Sequence, residues 1–273
     1  MRRVLLSALV LMAVVPARAQ RAVEVPLTRV LRAVVTDEGR VDYRRLAAEH
    51  RDDLDAALRA IDRQDPAALR TDAQKTAFYV NAYNAHVMGR VLEHGATNLE
   101  RQDLFQEFFR SPLPVAGHRM TLDQLEHGVL RRQAQVDGAP VLPALRALRP
   151  SAFDVRIHAA LNCAAVSCPP LLDRAYTAET LDADLAARWR AFLGSSRAAR
   201  LDGNGRLTLS SLFDWFAEDF EASGEALGDV ILAGMPRQRA VTYRRSLAGR
   251  SAADLRADDR VSFAYDWTVN RSR

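Results

Sequence analysis

Lysine is almost absent from this chain of 273 residues. Lys75 is the only lysine among 38 basic residues, and the rest are arginine. The arginines are spread along the chain and are interspersed with 34 acidic residues. A surface that binds nucleic acid gathers its basic residues into a patch, and no such run is present. We therefore expect no nucleic-acid partner, although the sequence isoelectric point is about 9.4.

Long hydrophobic runs are also missing once the N-terminus is passed. The apolar run at residues 4–15 follows Arg2 and Arg3 and precedes the small residues Ala17 and Ala19. A positive start, a short apolar run and a small-x-small ending are typical of a cleavable export signal, and the run is too short to span a bilayer as a helix. The sequence predicts a signal peptide over 1–19, a periplasmic or secreted mature protein and no membrane span.

Linkers and internal repeats are absent as well. Glycine and proline are sparse, at 13 and 11 residues, and no stretch of either separates one part of the chain from another. Hydrophobic residues make up 48% of the chain, which is enough to build a sizeable core. Residues 20–273 are therefore expected to form a single domain.

Apolar periodicity predicts helices over most of that domain. The clearest helix, over residues 71–93, begins at the cap-forming residue Thr71. A second helix, over 122–133, begins with Thr121 and Gln124 in the pattern of a capping box. A mainly helical domain is the expected result.

Strand patterns are few and short. The turn sequence at residues 202–205 lies between two apolar runs and predicts a hairpin. Alternation over 261–267 predicts a strand with one buried face, whereas the aromatic-rich segment 210–220 predicts an amphipathic helix. The predicted fold class is α+β: a mainly helical single domain with a few short strands, of the papain or transglutaminase kind.

Cysteine is scarce, and the two residues present, Cys163 and Cys168, are separated by four others. In an oxidising compartment such a pair is readily joined, and closing this short loop contributes roughly 2 kcal/mol at best. The alternative is a free thiolate that performs chemistry, which needs a basic partner and a lowered pKa. The sequence leaves both alternatives open.

Two amides lie on one face of the first predicted helix. Asn81 and Asn84 are three residues apart, with Tyr83 between them. Amides on a core helix need hydrogen-bond partners, so these two either fix backbone against the helix or orient an imidazole or an oxyanion. Both interpretations remain open.

Two histidines, His127 and His158, are candidates for the general base, and they lie far apart in the sequence. Glu126 and His127 are adjacent on the second predicted helix, where neighbouring side chains do not face each other, so one of them is expected to be structural. His158 precedes Cys163 by five residues, a spacing that neither a helix nor a strand converts into a direct pair. A thiolate at Cys163 would therefore take its imidazole from elsewhere, most simply from His127, and Cys168 is placed to approach either histidine.

Short motifs spread along the chain support one resemblance. In chain order they are Val41-Asp42-Tyr43, Phe78-Tyr79-Val80-Asn81-Ala82-Tyr83-Asn84-Ala85, Leu122-Asp123-Gln124-Leu125-Glu126-His127, Arg156-Ile157-His158, Ser167-Cys168-Pro169-Pro170-Leu171, Ala175-Tyr176-Thr177 and Tyr265-Asp266-Trp267 with Asn270. Together they resemble the domain-of-unknown-function 547 family, in the family's order and over roughly residues 28–271. The resemblance implies a domain found in exported bacterial proteins and in some plant proteins.

The resemblance also implies which residues carry the family pattern. Five chemically capable residues of that pattern are kept: Glu126, His127, His158, Cys163 and Cys168. Val80 and Ala159 stand where bulkier isoleucine and phenylalanine are usual. These two departures concern packing and not chemistry.

Two functions fit these residues. The first is a thiol-dependent hydrolase or acyltransferase in which one cysteine attacks a carbonyl group and a histidine relays the proton. Its candidate catalytic residues are Cys163, Cys168, His127, His158 and Glu126. The second is a non-catalytic domain, braced by a Cys163–Cys168 disulfide, that recognises a small-molecule or peptide ligand.

The candidate binding residues for either function are Asn81, Asn84, Tyr83 and Arg156. We expect no cofactor. A zinc site built from the two histidines and two cysteines is disfavoured, because their spacing does not match a compact zinc motif.

Overall fold

The computed structural model describes residues 15–272, except for the side chains of residues 15–20, 102 and 103. Most of the predicted export signal, residues 1–19, lies outside the described residues. Among the helices within residues 15–272, none has the length and the apolar character needed to cross a bilayer.

The fold is mainly helical α+β, as predicted from the sequence. The α-helices are α1 Val15–Val34, α2 Tyr43–Glu49, α3 Arg51–Arg63, α4 Asp72–His94, α5 Gln102–Arg110, α6 Pro143–Ala147, α7 Leu181–Gly194, α8 Leu212–Trp215, α9 Ala217–Phe220, α10 Leu227–Gly234, α11 Arg237–Leu247 and α12 Ala252–Ala257. Two 3₁₀ turns, Pro66–Ala68 and Val155–Ala159, and a π-helix, Gln124–Leu130, complete the helical elements. The strands are β1 Leu113–Val115, β2 His118–Met120, β3 Gln135–Val136, β4 Ala139–Pro140, β5 Ala199–Leu201, β6 Leu207–Ser210 and β7 Val261–Ala264.

Helix α4 lies at the centre of the fold. All of its side chains from Thr76 to Val91 are buried, which is typical of a helix packed on every side. The cap predicted at Thr71 is present and forms a capping box, since the backbone N–H of Gln74 donates to Thr71 Oγ1 at 3.2 Å and the side chain of Gln74 accepts from the N–H of Thr71 at 3.1 Å. The helix ends at Gly95, whose φ of 57° is left-handed.

The buried apolar residues form two clusters. The first surrounds α4 with side chains from α1, α2 and α3, and the second lies between α7, the sheet and α10 to α12. The sheet of the second cluster has the order β5-β6-β7, in which β5 and β6 form the predicted hairpin and β7 runs parallel to β6. Because β7 stops at Ala264, the predicted strand over 261–267 is shorter than expected, and Tyr265 and Trp267 lie beyond it.

The aromatic-rich segment 210–220 is two short helices and not the single helix that its periodicity predicts. Helix α8 ends and α9 begins at Phe216, which has a φ of −114° and a ψ of 25° outside the helical range. The break directs the Phe216 side chain to the same cavity that Trp215 lines.

The C-terminal segment returns to the loop that carries the cysteines. The N–H of Val166 donates to Thr268 O at 2.8 Å, and the N–H of Asn270 donates to Ala164 O at 2.7 Å. These bonds form a short two-stranded contact outside the named strands. They bring residues 265–267 beside the cysteine loop, far from their position in the sequence.

Candidate functional site

The two amides of α4 hold the loops around the site. Asn84 Nδ2 donates to Ala160 O at 3.0 Å, and its Oδ1 accepts from the N–H of Asn162 at 2.9 Å. In the same way, Asn81 Nδ2 donates to Tyr176 O at 2.8 Å, and Asn81 Oδ1 accepts from the N–H of Tyr176 at 2.9 Å. The partners of both amides are therefore backbone groups, which is one of the two alternatives that the sequence left open.

One cavity of about 280 Å³ lies between the two clusters and the C-terminal segment. Seven aromatic side chains line it: Tyr83, Phe105, Phe109, Trp215, Phe216, Tyr265 and Trp267. Its polar lining consists of Tyr83, Asp123, Glu126, His127, His158 and Cys163. Within the described part of the chain, neither lysine nor arginine lines this cavity.

The π-helix brings Glu126 and His127 to the same cavity. The N–H of Arg131 donates to Glu126 O at 2.8 Å, five residues back, so each turn holds more residues than an α-helix turn. The side chains of Glu126 and His127 consequently lie close together, with Oε1 and Nδ1 3.9 Å apart. Both side chains line the cavity, whereas a regular helix was expected to point them apart; that one of the two is structural stays a prediction.

His158 forms a hydrogen-bonded pair with Asp219. His158 Nε2 lies 2.8 Å from Asp219 Oδ2, and Arg131 Nε donates to the same oxygen at 2.5 Å. Burial alone would raise the pKa of Asp219, but the hydrogen bonds from His158 and Arg131 hold that pKa below its usual value. An ionised carboxylate only accepts, so Nε2 of His158 carries the proton and Nδ1 keeps its lone pair.

Arg131 also determines the tautomer of His127. Its Nη1 lies 2.9 Å from His127 Nδ1, and because a guanidinium only donates, Nδ1 is the acceptor. Burial, and then the charge of Arg131, lower the pKa of His127 to about 4. Burial likewise lowers the pKa of His158, against the opposing hydrogen bond to Asp219. Both imidazoles are therefore neutral near pH 7.

The carboxyl groups of the cavity are perturbed in the opposite direction. Burial raises the pKa of Asp123 to about 6, although a hydrogen bond from Arg110 opposes the shift. Burial also raises the pKa of Glu126, against the charge of Arg131 and a hydrogen bond from Tyr83. Asp123 consequently carries its negative charge only above about pH 6.

The two cysteines form a disulfide. Cys163 is partly exposed and lines the cavity, whereas Cys168 is 1% exposed. The structure therefore contains the Cys163–Cys168 disulfide, and neither sulfur is the free thiolate that a cysteine nucleophile requires. Among the described residues, no group of three or more histidine, cysteine, aspartate or glutamate side chains is arranged to hold a metal ion.

Arg156 lies away from the aromatic cavity. Its Nη2 contacts Asp154 Oδ2 at 2.7 Å and Asp182 Oδ1 at 2.8 Å, and the side chain is partly exposed. Two carboxylates therefore pair with the guanidinium of Arg156, which lies in the 3₁₀ turn Val155–Ala159. A role for Arg156 in binding a ligand stays a prediction.

Several residues of the site are not visible as such in the sequence. Asp219 is 61 residues from His158, and Trp215 and Phe216 come from the short helices next to it. The available signal is the unusual density of aromatic residues in segment 210–220, which the periodicity analysis assigns to packing alone. Asp123 belongs to the family motif over residues 122–127, but the sequence analysis selects only Glu126 and His127 from that motif as candidates.

The comparisons with known proteins concern the middle of the chain. The sequence profile of a family described as "Protein of unknown function, DUF547" matches residues 67–193. No curated protein and no solved structure matches this chain, and a papain or transglutaminase kind of fold therefore stays a prediction. The matched segment contains α4, the π-helix and the cysteine loop, whereas Asp219 and Trp267 lie outside it. The resemblance indicated by the motifs is confirmed over residues 67–193, which match the DUF547 family.

Proposed function

We propose that this domain binds a small organic cation in the aromatic cavity. The observation that carries the proposal is the composition of the cavity lining, which combines seven aromatic side chains and two carboxyl groups and, among the described residues that line it, no lysine or arginine. Ligand sites in proteins are mostly apolar concavities with a few convergent polar groups, and a volume of about 280 Å³ suits a small molecule.

The charge of the cavity supports a cationic ligand. Near pH 7 both lining imidazoles are neutral, because the pKa of His127 is lowered to about 4 and the pKa of His158 is also lowered, in each case mainly by burial. Asp123, whose pKa burial raises to about 6, is ionised at that pH. The residues that line the cavity therefore carry negative charge and no positive charge near pH 7, while Arg110 pairs with Asp123 at 3.2 Å and Arg131 contacts His127 from outside the lining. This charge on the lining residues supports a cationic ligand.

The aromatic wall offers a second attraction to a cation. Trp215, Tyr265 and Trp267 pack against one another, with ring centroids separated by 4.7 to 5.7 Å. A cation over an aromatic face gains about 0.5 to 2 kcal/mol, the larger value applying where water is excluded. Trp215 is 46% exposed, so its ring forms an accessible edge of the cavity.

The first prediction compares two probes of nearly equal shape, benzylamine and benzyl alcohol. We expect benzylamine, which is protonated near pH 7, to bind about tenfold more tightly, because only the ammonium group interacts favourably with the carboxylates and ring faces. Tryptophan fluorescence during titration measures both affinities, since two of the three tryptophans line the cavity. Equal affinities, or tighter binding of the alcohol, would contradict the proposal.

Matched tryptophan variants locate the binding. Trp215→Ala removes part of the cavity wall and is expected to weaken benzylamine binding severalfold. Trp189→Phe is the control, because Trp189 stacks on Phe220 in the second cluster and does not line the cavity. The same loss of affinity in both variants would place the amine elsewhere.

The second prediction concerns pH. Because burial raises the pKa of Asp123 to about 6, its charge is absent at about pH 5 and present at about pH 7. The affinity for benzylamine is therefore expected to rise over this interval, and Asp123→Asn is expected to flatten the profile while lowering the affinity at pH 7. Isothermal titration calorimetry at several pH values measures this. A profile that keeps its slope in Asp123→Asn would show that another group is responsible.

A second candidate function is the thiol-dependent hydrolase or acyltransferase. It is favoured by one observation: Cys163 and His158 line the same cavity. With the disulfide reduced, Cys163 would supply the nucleophile and His158, oriented by Asp219, the general base. We also propose export of the chain, and an oxidising compartment favours the disulfide over the thiols.

The thiol count distinguishes the two functions. The protein is recovered from its own compartment and titrated with a thiol reagent under denaturing, non-reducing conditions. No reactive thiol supports the binding domain braced by the disulfide. A reactive thiol in each molecule, together with loss of function in Cys163→Ser, would support the enzyme.

A further inference from the structure

The two sulfurs of the disulfide have different surroundings. Cys163 lines the aromatic cavity and is partly exposed, whereas Cys168 is 1% exposed. When a thiolate attacks a disulfide, one sulfur is attacked and the other leaves with the electron pair. A molecule in the cavity meets Cys163, so Cys168 is the leaving sulfur.

Three hydrogen-bond donors converge on the leaving sulfur. The backbone N–H groups of Cys163 and Ala165 donate to Cys168 Sγ at 3.1 and 3.2 Å. The Tyr265 hydroxyl lies 3.1 Å from Cys168 Sγ and 2.9 Å from Cys163 Sγ, so it can donate to whichever sulfur becomes the thiolate. Ala164 lies between the two amides with a left-handed φ of 66°, and this conformation turns neighbouring N–H groups toward one side of the chain. A sulfur in a disulfide is a weak acceptor, so the donors interact much more strongly with a thiolate.

The donors oppose the effect of burial. Burial in apolar surroundings disfavours a thiolate, whereas two or three donors to an anionic group favour the charged form strongly. Burial raises the pKa of Tyr265, so its hydroxyl stays protonated and remains a donor over the physiological pH range. The surroundings of Cys168 are therefore arranged for a sulfur that carries negative charge.

We propose that the Cys163–Cys168 disulfide is a thiol–disulfide exchange site that oxidises small thiols entering the aromatic cavity. A substrate thiolate attacks Cys163 Sγ, the bond between the two sulfurs breaks, and Cys168 leaves as a thiolate held by its three donors. A second substrate thiolate then attacks the substrate sulfur of the mixed disulfide and displaces Cys163, which takes up a proton. Two thiols lose two electrons in total and form one disulfide, and the protein disulfide gains those electrons.

This activity goes beyond ligand binding and does not depend on a cationic ligand. The probe is therefore 2-mercaptoethanol, which is small and carries no positive charge. Failure of the benzylamine experiments would leave the exchange reaction intact, and failure of exchange would leave cation binding intact.

The first measurement is the rate at which excess 2-mercaptoethanol reduces the disulfide of the folded protein. Samples are quenched by alkylation and analysed by mass spectrometry. Tyr265→Phe removes one donor to the leaving thiolate, and we expect it to slow reduction about three- to tenfold. Tyr243→Phe is the control, because the Tyr243 hydroxyl donates to Ala199 O in the second cluster and not to sulfur. Equal rates in Tyr265→Phe and the parent protein would overturn the proposal.

The second measurement is the pKa of the Cys168 thiol in Cys163→Ser, followed by the ultraviolet absorbance of the thiolate. We expect a pKa at least one unit below the ordinary value of about 8.5, and a return toward that value when Tyr265→Phe is added. A pKa at or above the ordinary value would overturn the assignment of Cys168 as the leaving sulfur. If Cys163→Ser does not fold, the rate measurement still decides, since both of its variants keep the two cysteines.

Discussion

Replacing Asp219 by alanine is expected to lower the free energy of unfolding by about 3 to 5 kcal/mol. Arg131 donates to the Asp219 carboxylate at 2.5 Å, and the Arg131 side chain is only 6% exposed, so the substitution leaves a buried guanidinium without its carboxylate. His158 loses its hydrogen-bond acceptor at the same time. Urea denaturation followed by circular dichroism measures the change.

Asp214→Ala is the matched control for this prediction. Asp214 also pairs with an arginine at 2.5 Å, but that partner, Arg256, is 48% exposed and the carboxyl is 34% exposed. An exposed ion pair contributes about 0 to 1 kcal/mol, so the control is expected to cost little. A similar loss of stability in both variants would mean that Asp219 is not the buried centre of the site.

Asn84→Ala is expected to lower the free energy of unfolding by about 2 to 6 kcal/mol, because it leaves two buried backbone groups without partners, each worth about 1 to 3 kcal/mol. The amide of Asn84 bonds the carbonyl of Ala160 and the N–H of Asn162. These residues lie between His158 and Cys163, so benzylamine affinity should fall together with stability. Urea denaturation and the fluorescence titration measure the two effects.

Asn204→Ala provides the comparison for Asn84→Ala. Asn204 is exposed in the turn between β5 and β6, and its replacement is expected to change the unfolding free energy by less than about 0.5 kcal/mol. If Asn84→Ala is as mild as the control, the amide does not hold the loop, and the site must be positioned by other contacts.

Local features of the fold follow from the sequence. The capping box of Thr71 and Gln74 marks the start of α4, and the turn at 202–205 marks the β5–β6 hairpin. Both depend on neighbouring residues, so the sequence contains the whole signal. The choice between a disulfide and a free thiolate depends on how the loop closes in three dimensions, and the sequence leaves it open.

The arrangement of the site depends on contacts that periodicity does not reveal. A regular helix separates Glu126 from His127, and the π-helix brings both to the cavity because each turn holds extra residues. Asp219 approaches His158 only because α8 and α9 pack against the 3₁₀ turn across the second cluster. The sequence therefore predicts most polar residues of the candidate site, but not Asp123, the aromatic wall or the Asp219 carboxylate that pairs with the imidazole of His158.

A crystal structure of the protein grown with benzylamine tests the central claim most directly. We predict the ring of the amine against the aromatic wall formed by Trp215 and Trp267, with its ammonium group within reach of the carboxyl groups of Asp123 and Glu126. Density for the amine only outside this cavity, or an ammonium group directed away from both carboxyl groups, would contradict the account.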